Sequence, residues 1–201
     1  MFGLDKDDGT NALDLLKHDH DEVDELFKNF EEIKDGGDDE QKENLVTQIC
    51  DALTIHAQIE ETIFYPAARK ALSAEEGKDL LDEAAVEHQT LKDIVGRLEV
   101  APTGDPLYDA GVKVLSEYVK HHVDEEENEL FPKVRSSDMD LQAIGRQLAE
   151  RKRQLQRTES HASNGGRGRR KEQGGEGAMQ EGGQRLSKQM PASEQRSRGT
   201  H

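Results

Sequence analysis

Apolar residues return every three or four positions through most of the first 135 residues, the period of a helix with one buried face. Leu13, Leu16, His20, Val23, Phe27 and Phe30 form the first stripe and predict a helix over about 10–34, closed by Gly36-Gly37. Asp38 or Asp39 can cap the next helix, about 39–70, whose stripe is Leu45, Ile49, Leu53, His56, Glu60 and Ile63. Pro66 lies inside it and should disturb the hydrogen bonding one turn after Glu60. A third helix is predicted over about 74–100, with Leu81, Ala84 or Ala85, His88, Leu91, Val95 and Leu98 inward. Asp105-Pro106 reads as the start of a fourth, about 106–135, carrying Tyr108, Val112, Leu115, Val119, His122, Glu126 and Leu130. Long helices joined by short loops predict an all-α, up-down-up-down four-helix bundle over 1–135.

The pattern weakens beyond that. Met139, Leu141, Ile144, Leu148 and Leu155 predict a fifth, accessory amphipathic helix over 136–157, docked on the bundle or binding a protein partner. From Thr158 on, nine of the 18 glycines gather with Gln, Ser and Arg, and Val, Ile, Phe, Tyr and Trp are absent. That composition cannot bury enough apolar surface to offset chain entropy, so 158–201 is expected to be a disordered tail.

Charge sharpens the division. Residues 158–201 hold eight Lys/Arg against five Asp/Glu, a net of +3, which leaves −19 for residues 1–157 against −16 for the whole chain. An acidic body opposes a broad nucleic-acid face; the run Gly166-Arg-Gly-Arg-Arg-Lys171 would touch nucleic acid only weakly. Cys50 is the single cysteine, which excludes an intrachain disulfide and suits a reducing cytoplasm; it falls in an apolar lane and reads as a small core residue. Neither a signal peptide nor a run of roughly 20 apolar residues is visible, so a cytoplasmic protein without a membrane span is expected.

The candidate chemistry lies in a repeat. His56-Ala-Gln-Ile-Glu60-Glu61-Thr-Ile-Phe-Tyr65-Pro66 recurs as His122-Val-Asp-Glu-Glu126-Glu127-Asn-Glu-Leu-Phe131-Pro132. Upstream of each copy, Asp19-His20 and Glu87-His88 open runs with matching apolar offsets. The chain is a duplicated helix pair, with His on the first helix and H-x-x-x-E on the second. On a helix, His and Glu four apart share a face about 6 Å apart along the axis. His20, His56, His88 and His122 thus point inward from four helices, with Glu60 and Glu126 one turn beyond two of them. A buried carboxylate without a partner costs several kcal/mol, so these positions call for a cation. Imidazole with carboxylate suits iron, manganese or zinc, and two metals about 3.5–4 Å apart could share Glu60 and Glu126 as bridges. Glu61 and Glu127 are reserve ligands or the polar shoulder of their helices; His18 and His121 fall off the stripes; Tyr118, one turn before His122, either packs or adjoins the centre.

In their order and spacing, His20, His56-x-x-x-Glu60, His88 and His122-x-x-x-Glu126 resemble the hemerythrin-like family, in its HHE cation-binding branch. The resemblance covers roughly 10–135. It implies a four-helix bundle around two non-haem irons, bridged by oxo or carboxylate groups, with the six residues as metal ligands. It also implies a small partner: dioxygen, peroxide or nitric oxide, turned over in a catalase-like reaction, or sensed or buffered without turnover. One departure stands out. The family's oxygen carriers have a further His one turn after the third-helix His, where this chain has Lys92. They also place the last carboxylate at the position of Glu127 rather than Glu126. Reversible oxygen storage is therefore not expected.

Overall fold

The structure, a computed structural model, describes residues 11–167. Its helices are α1 (Ala12–Ile33), α2 (Asp39–Ile59), α3 (Tyr65–Ala71), α4 (Ala74–Leu98), α5 (Tyr108–Glu125), α6 (Phe131–Arg135) and α7 (Leu141–Arg167), and there is no strand among the described residues. α2 runs into α3, and α5 into α6, through a single π turn each, Glu60–Phe64 and Glu126–Leu130. The four long rods of the expected bundle are therefore α1, α2–α3, α4 and α5–α6.

Local chemistry sets the ends. The Asn11 side chain accepts from Leu13 N and Asp14 N, so α1 starts at Ala12. Asp38 and Gln41 form a reciprocal capping box at the start of α2. α5 begins two residues later than Asp105-Pro106 suggested, because Asp105 Oδ1 accepts from Leu107 N at 2.7 Å and closes a turn before the helix.

The π turns are the main departure from the sequence expectation. Pro66 and Pro132 have no N–H to give the carbonyl four residues back, and their rings crowd it. Each ladder slips to a five-residue bond just before the proline: Tyr65 N donates to Glu60 O, and Phe131 N to Glu126 O. Thr62 Oγ1 and Asn128 Nδ2, at matching places in the two halves, donate to Gln58 O and Asp124 O in the same stretch. The distortion thus falls on the site residues themselves rather than one turn beyond them. It also rotates the buried face. Glu60, Phe64 and Ala68 are buried at four-residue spacing while Ile63 turns half-outward, and Glu126, Leu130 and Val134 do the same in the second half.

The interior has two apolar blocks. One joins Val23, Phe27, Phe30, Ile49, Leu53, Leu91, Val95, Val112 and Leu115 at one end of the bundle. The other joins Leu13, Leu16, Ile59, Phe64, Leu81, Leu130 and Phe131 with Leu148 of α7. The buried polar residues, all His, Asp or Glu, belong to neither block. Cys50 is buried in the first block, as its apolar lane suggested.

α7 docks on the bundle. Leu148 is fully buried, and Met139, Leu141, Ile144 and Leu155 pack on the same block. α7 reaches Arg167, past Thr158 where a tail was expected, because a nucleated helix extends at the cost of one residue per added bond. The rest of that expected tail, 168–201, lies outside the described residues. No helix among the described residues is long and apolar enough to cross a membrane.

Candidate metal centre

α1 supplies His20, α4 supplies His88, and the α2 and α5 rods supply His56 with Glu60 and His122 with Glu126, each Glu opening a π turn. All six are buried, Glu60 completely. His20 Nε2 lies 3.1 Å from His56 Nε2, and His88 Nε2 lies 3.0 Å from His122 Nε2. Glu60 Oε2 sits between the pairs, 3.2 Å from His56 Nε2 and 3.4 Å from His88 Nε2. Glu126 Oε2 is 3.4 Å from His20 Nε2 and 3.8 Å from His122 Nε2. Ligating atoms of His20, His56, Glu60 and Glu126 fall within 4.8 Å of one another, and so do those of Glu60, His88 and His122. Glu60 belongs to both groups, the position a bridging carboxylate needs.

These atoms fit a metal better than one another. Both oxygens of Glu60 and Oε2 of Glu126 are buried without a hydrogen-bond partner, although imidazoles stand at ion-pair distance. Orphaned carboxylate oxygens in an interior cost several kcal/mol unless a cation meets them. Two ligand atoms about 2.1 Å from one ion are roughly 3 Å apart at right angles and about 3.4 Å apart in a tetrahedron, the separations found here.

A ring of carboxylates stands behind the imidazoles. Glu127 Oε1 lies 3.0 Å from His20 Nδ1, Glu61 Oε1 lies 3.0 Å from His88 Nδ1, and Glu87 Oε2 lies 2.8 Å from His122 Nδ1. Asp19 Oδ2 lies 3.5 Å from His56 Nδ1. An ionised carboxylate only accepts, so Nδ1 of His20, His88 and His122 is the donor and turns its Nε2 inward, while His56 Nδ1 and Asp19 Oδ2 face each other at 3.5 Å, both buried without a hydrogen bond. Lysines back this ring in turn: Lys17 on Glu127, Lys92 on Glu61 and Lys152 on Asp19, all at 2.6 Å, while the His121 imidazole lies 3.6 Å from Glu87. Glu61 and Glu127 therefore orient histidines and stand apart from the two ligand groups. Lys92, which replaces a carrier's histidine, points its charge at Glu61.

The electrostatics follow. Burial works against charge on His56, yet Glu60 and Asp19 raise it to about 10. Burial likewise opposes charge on His88, and Glu60 and Glu61 raise it all the same. Glu60 is held well below the usual carboxylate range: burial alone would raise it, but His56 and His88 prevail. Without a metal, a proton on His56 or His88 meets the Glu60 charge, and a metal must displace it.

Tyr65 breaks the symmetry of the halves. Its hydroxyl donates to Glu126 Oε1 at 2.8 Å and lies 3.2 Å from His88 Nε2, while its counterpart Phe131 stacks near His20. Burial first, then Glu126 and Glu60, push its phenol well above the ordinary range. Tyr118 instead stays on the surface, 40% exposed, and His18 and His121 are exposed as their positions implied. Tyr65, Lys152 and the orienting carboxylates Asp19 and Glu87 were missed as site residues. The acidic residue before His20 and before His88 was the available signal.

Above the imidazoles lies a cavity of about 30 Å³. Its walls are mostly valine and leucine, from Val23, Leu53, Leu91, Val95, Val119 and Val123, while Thr54, Lys92, Asp19 and the four histidines add polar atoms.

Known proteins resemble this chain. A protein of Nostoc sp. named DNA nickase is 29% identical over 135 residues, covering 67% of this chain but only 36% of that protein. An uncharacterized protein of Mycobacterium tuberculosis H37Rv is 29% identical over 148 residues, 72% of this chain and 87% of its own length. The crystal structure of a hemerythrin HHE cation binding domain-containing protein from Mycobacterium kansasii superposes with a TM-score of 0.62 at 26% identity, covering 74% of this chain and 88% of that one. The family description Hemerythrin HHE cation binding domain matches residues 11–134, the segment that holds all six inward His and Glu residues, and the chain belongs to that family.

Proposed function

We propose that His20, His56, Glu60, His88, His122 and Glu126 hold two non-haem iron ions, and that the centre binds and turns over a small oxidant: dioxygen, peroxide or nitric oxide. The observation that carries this is Glu60, fully buried with both oxygens unpartnered and shared by two groups of ligating atoms. An iron pair supplies two-electron chemistry when bound. The chain does the rest. The orienting carboxylates fix the Nε2 lone pairs. Valine and leucine dominate the walls, and a cavity of about 30 Å³ admits a molecule of two or three heavy atoms and little more. The Tyr65 hydroxyl holds a proton on Glu126 Oε1, beside the His88 Nε2 edge of the centre. Peroxide disproportionation to dioxygen and water needs no outside reductant and suits such a site.

Iron-loaded protein should evolve oxygen from peroxide faster than free iron does, and His56→Ala should abolish the excess. Elemental analysis should give two irons per chain. A rate equal to free iron removes the enzymatic reading, and one zinc per chain removes the redox reading altogether.

A second reading, sensing or buffering without turnover, has one observation in its favour. Lys152 of α7 donates to Asp19 Oδ1, and Asp19 Oδ2 faces His56. The docked helix is therefore two contacts from a ligand. Iron loading that changes proteolysis of residues 136–201 without rapid peroxide turnover would favour this reading.

A further inference from the structure

The cavity over the imidazoles meets the surface at one seam of the bundle. Of its lining residues, Thr54 on α2 and Lys92 on α4 are exposed. Ala57, one turn after Thr54 on the same lane of α2, lines it too. That lane faces α4, because Glu61, one turn further on, lies 3.0 Å from His88 Nδ1. Thr54, Ala57 and Lys92 therefore surround a mouth between α2 and α4.

The mirror seam, between α1 and α5, is built differently. The 66-residue offset that carries His56 onto His122 carries Thr54 onto Lys120, Ala57 onto Val123 and Glu61 onto Glu127. The offset of 68 that carries His20 onto His88 carries Asp24 onto Lys92. Lys120 and Asp24 are both exposed, yet neither lines the cavity. Asp24 turns instead to Lys28 on its own helix, at 2.8 Å. Val123 puts a larger side chain than Ala57 at its seam. The duplicated fold offers two places for a mouth, and these differences favour one.

Lys92 lies across that mouth. Its ammonium holds both oxygens of Glu61, at 2.6 and 2.8 Å, so the side chain reaches from α4 to the α2 rod while lining the cavity. On the mirror side Glu127 is met by Lys17, which stands three residues before His20 and outside the cavity lining. The Lys92 side chain is 45% exposed, and an ion pair so open to water is weak enough to part and re-form.

We infer that molecules of two or three heavy atoms reach the centre between α2 and α4, and that Lys92, pinned to Glu61, is the strap across this mouth. The inference rests on the reading of the centre as one that binds such molecules. Thr54 and Ala57 set the width of the passage, and the strap governs entry and release together. A barrier on the path changes both rates and leaves the equilibrium where it was.

The test is azide binding to the oxidised, iron-loaded full chain, followed by stopped-flow absorption. Thr54→Phe narrows the mouth from an exposed position. Association and dissociation should both slow by about tenfold, with the dissociation constant, iron content and helicity of the wild type. Lys92→Ala removes the strap and leaves Glu61 beside His88; both rates should rise by about threefold or more. Lys120→Phe makes the same change as Thr54→Phe on the mirror seam and should alter neither rate. Unchanged rates in either of the first two variants overturn the inference. So does slowing by Lys120→Phe, which would put the mouth at the other seam, and so does a changed dissociation constant at an unchanged association rate, which would make Lys92 a binding group. Wild-type protein that loads iron and binds no azide sinks the reading of the centre and the route with it, whereas azide bound at rates that ignore Thr54 and Lys92 sinks the route alone.

Discussion

Tyr65 donates to Glu126 Oε1 at 2.8 Å, and Phe131, at the same place in the other half, has no hydroxyl with which to reach Glu60. Glu126 therefore has one oxygen held and one free, while Glu60 has two free. Tyr65→Phe makes the halves alike and leaves Glu126 Oε1 buried and unpaired. Urea unfolding of the metal-free variant should show a loss of about 1–3 kcal/mol at an unchanged slope. An unchanged midpoint would mean that the hydroxyl does nothing for the fold.

The four rods, the inward histidines and the pairing of halves were legible because each rests on a local period that packing then obeys. His20 and His88 sit where the stripes put them, and so do Leu16, Ile49, Leu91 and Leu115. The π turns were not legible in detail. Pro66 and Pro132 announced a disturbance, but only the packed structure decides that the slip falls before the proline and swings Phe64 inward in place of Ile63. The orienting ring was half-legible: Asp19 and Glu87 precede their histidines, yet each serves a histidine on another helix, His56 and His122. Spacing along one helix cannot report a contact across two. Lys152 is more remote still, meeting Asp19 across 133 positions of chain.

That contact gives α7 a measurable role. Lys152 holds the buried Asp19 at 2.6 Å, with only 22% of the lysine side chain exposed. Lys152→Met keeps the apolar stem but removes the charge, and should cost about 1–3 kcal/mol, less than a fully buried pair because water still reaches the lysine. Leu148→Ala opens a cavity where α7 meets the bundle and should cost about 2–5 kcal/mol. Hydrogen exchange separates the two: Leu148→Ala should speed exchange along α7, whereas Lys152→Met should speed it mainly around Asp19 and His56. Unchanged exchange in both would show that α7 contributes nothing to the bundle.

Cys50 sets the pH behaviour of the apolar end. Burial pushes its thiol up to about 12, with Glu99 and Asp51 adding to the shift, against an ordinary value of 9.0. Below pH 9 folded and unfolded chains both keep the proton, and the group leaves stability unchanged. Between about 9 and about 12 the unfolded chain loses the proton and the folded chain keeps it, so stability falls as pH rises. Cys50→Ala should flatten that part of the curve. A thiol reagent at pH 8 should label the native protein only at the rate of opening, so fast labelling without denaturant would contradict the buried thiol.

Glu60 offers the most direct reading of the centre. Glu60→Gln keeps the shape and removes the charge shared by both ligand groups, leaving a neutral amide oxygen that binds cations weakly. The variant should stay helical, since Phe64 and Ala68 still fix the π turn from the apolar side. Elemental analysis should fall from two metals per chain to one or fewer. The second expectation concerns stabilisation by metal. A ligand at a hundred times its dissociation constant adds about 2.7 kcal/mol to the folded state. That increment, measured as the difference between metal-loaded and chelated protein, should be present in the wild type and collapse in the variant. A variant that kept two metals and the whole increment would show that Glu60 is not shared, and that its orphaned oxygens need another explanation.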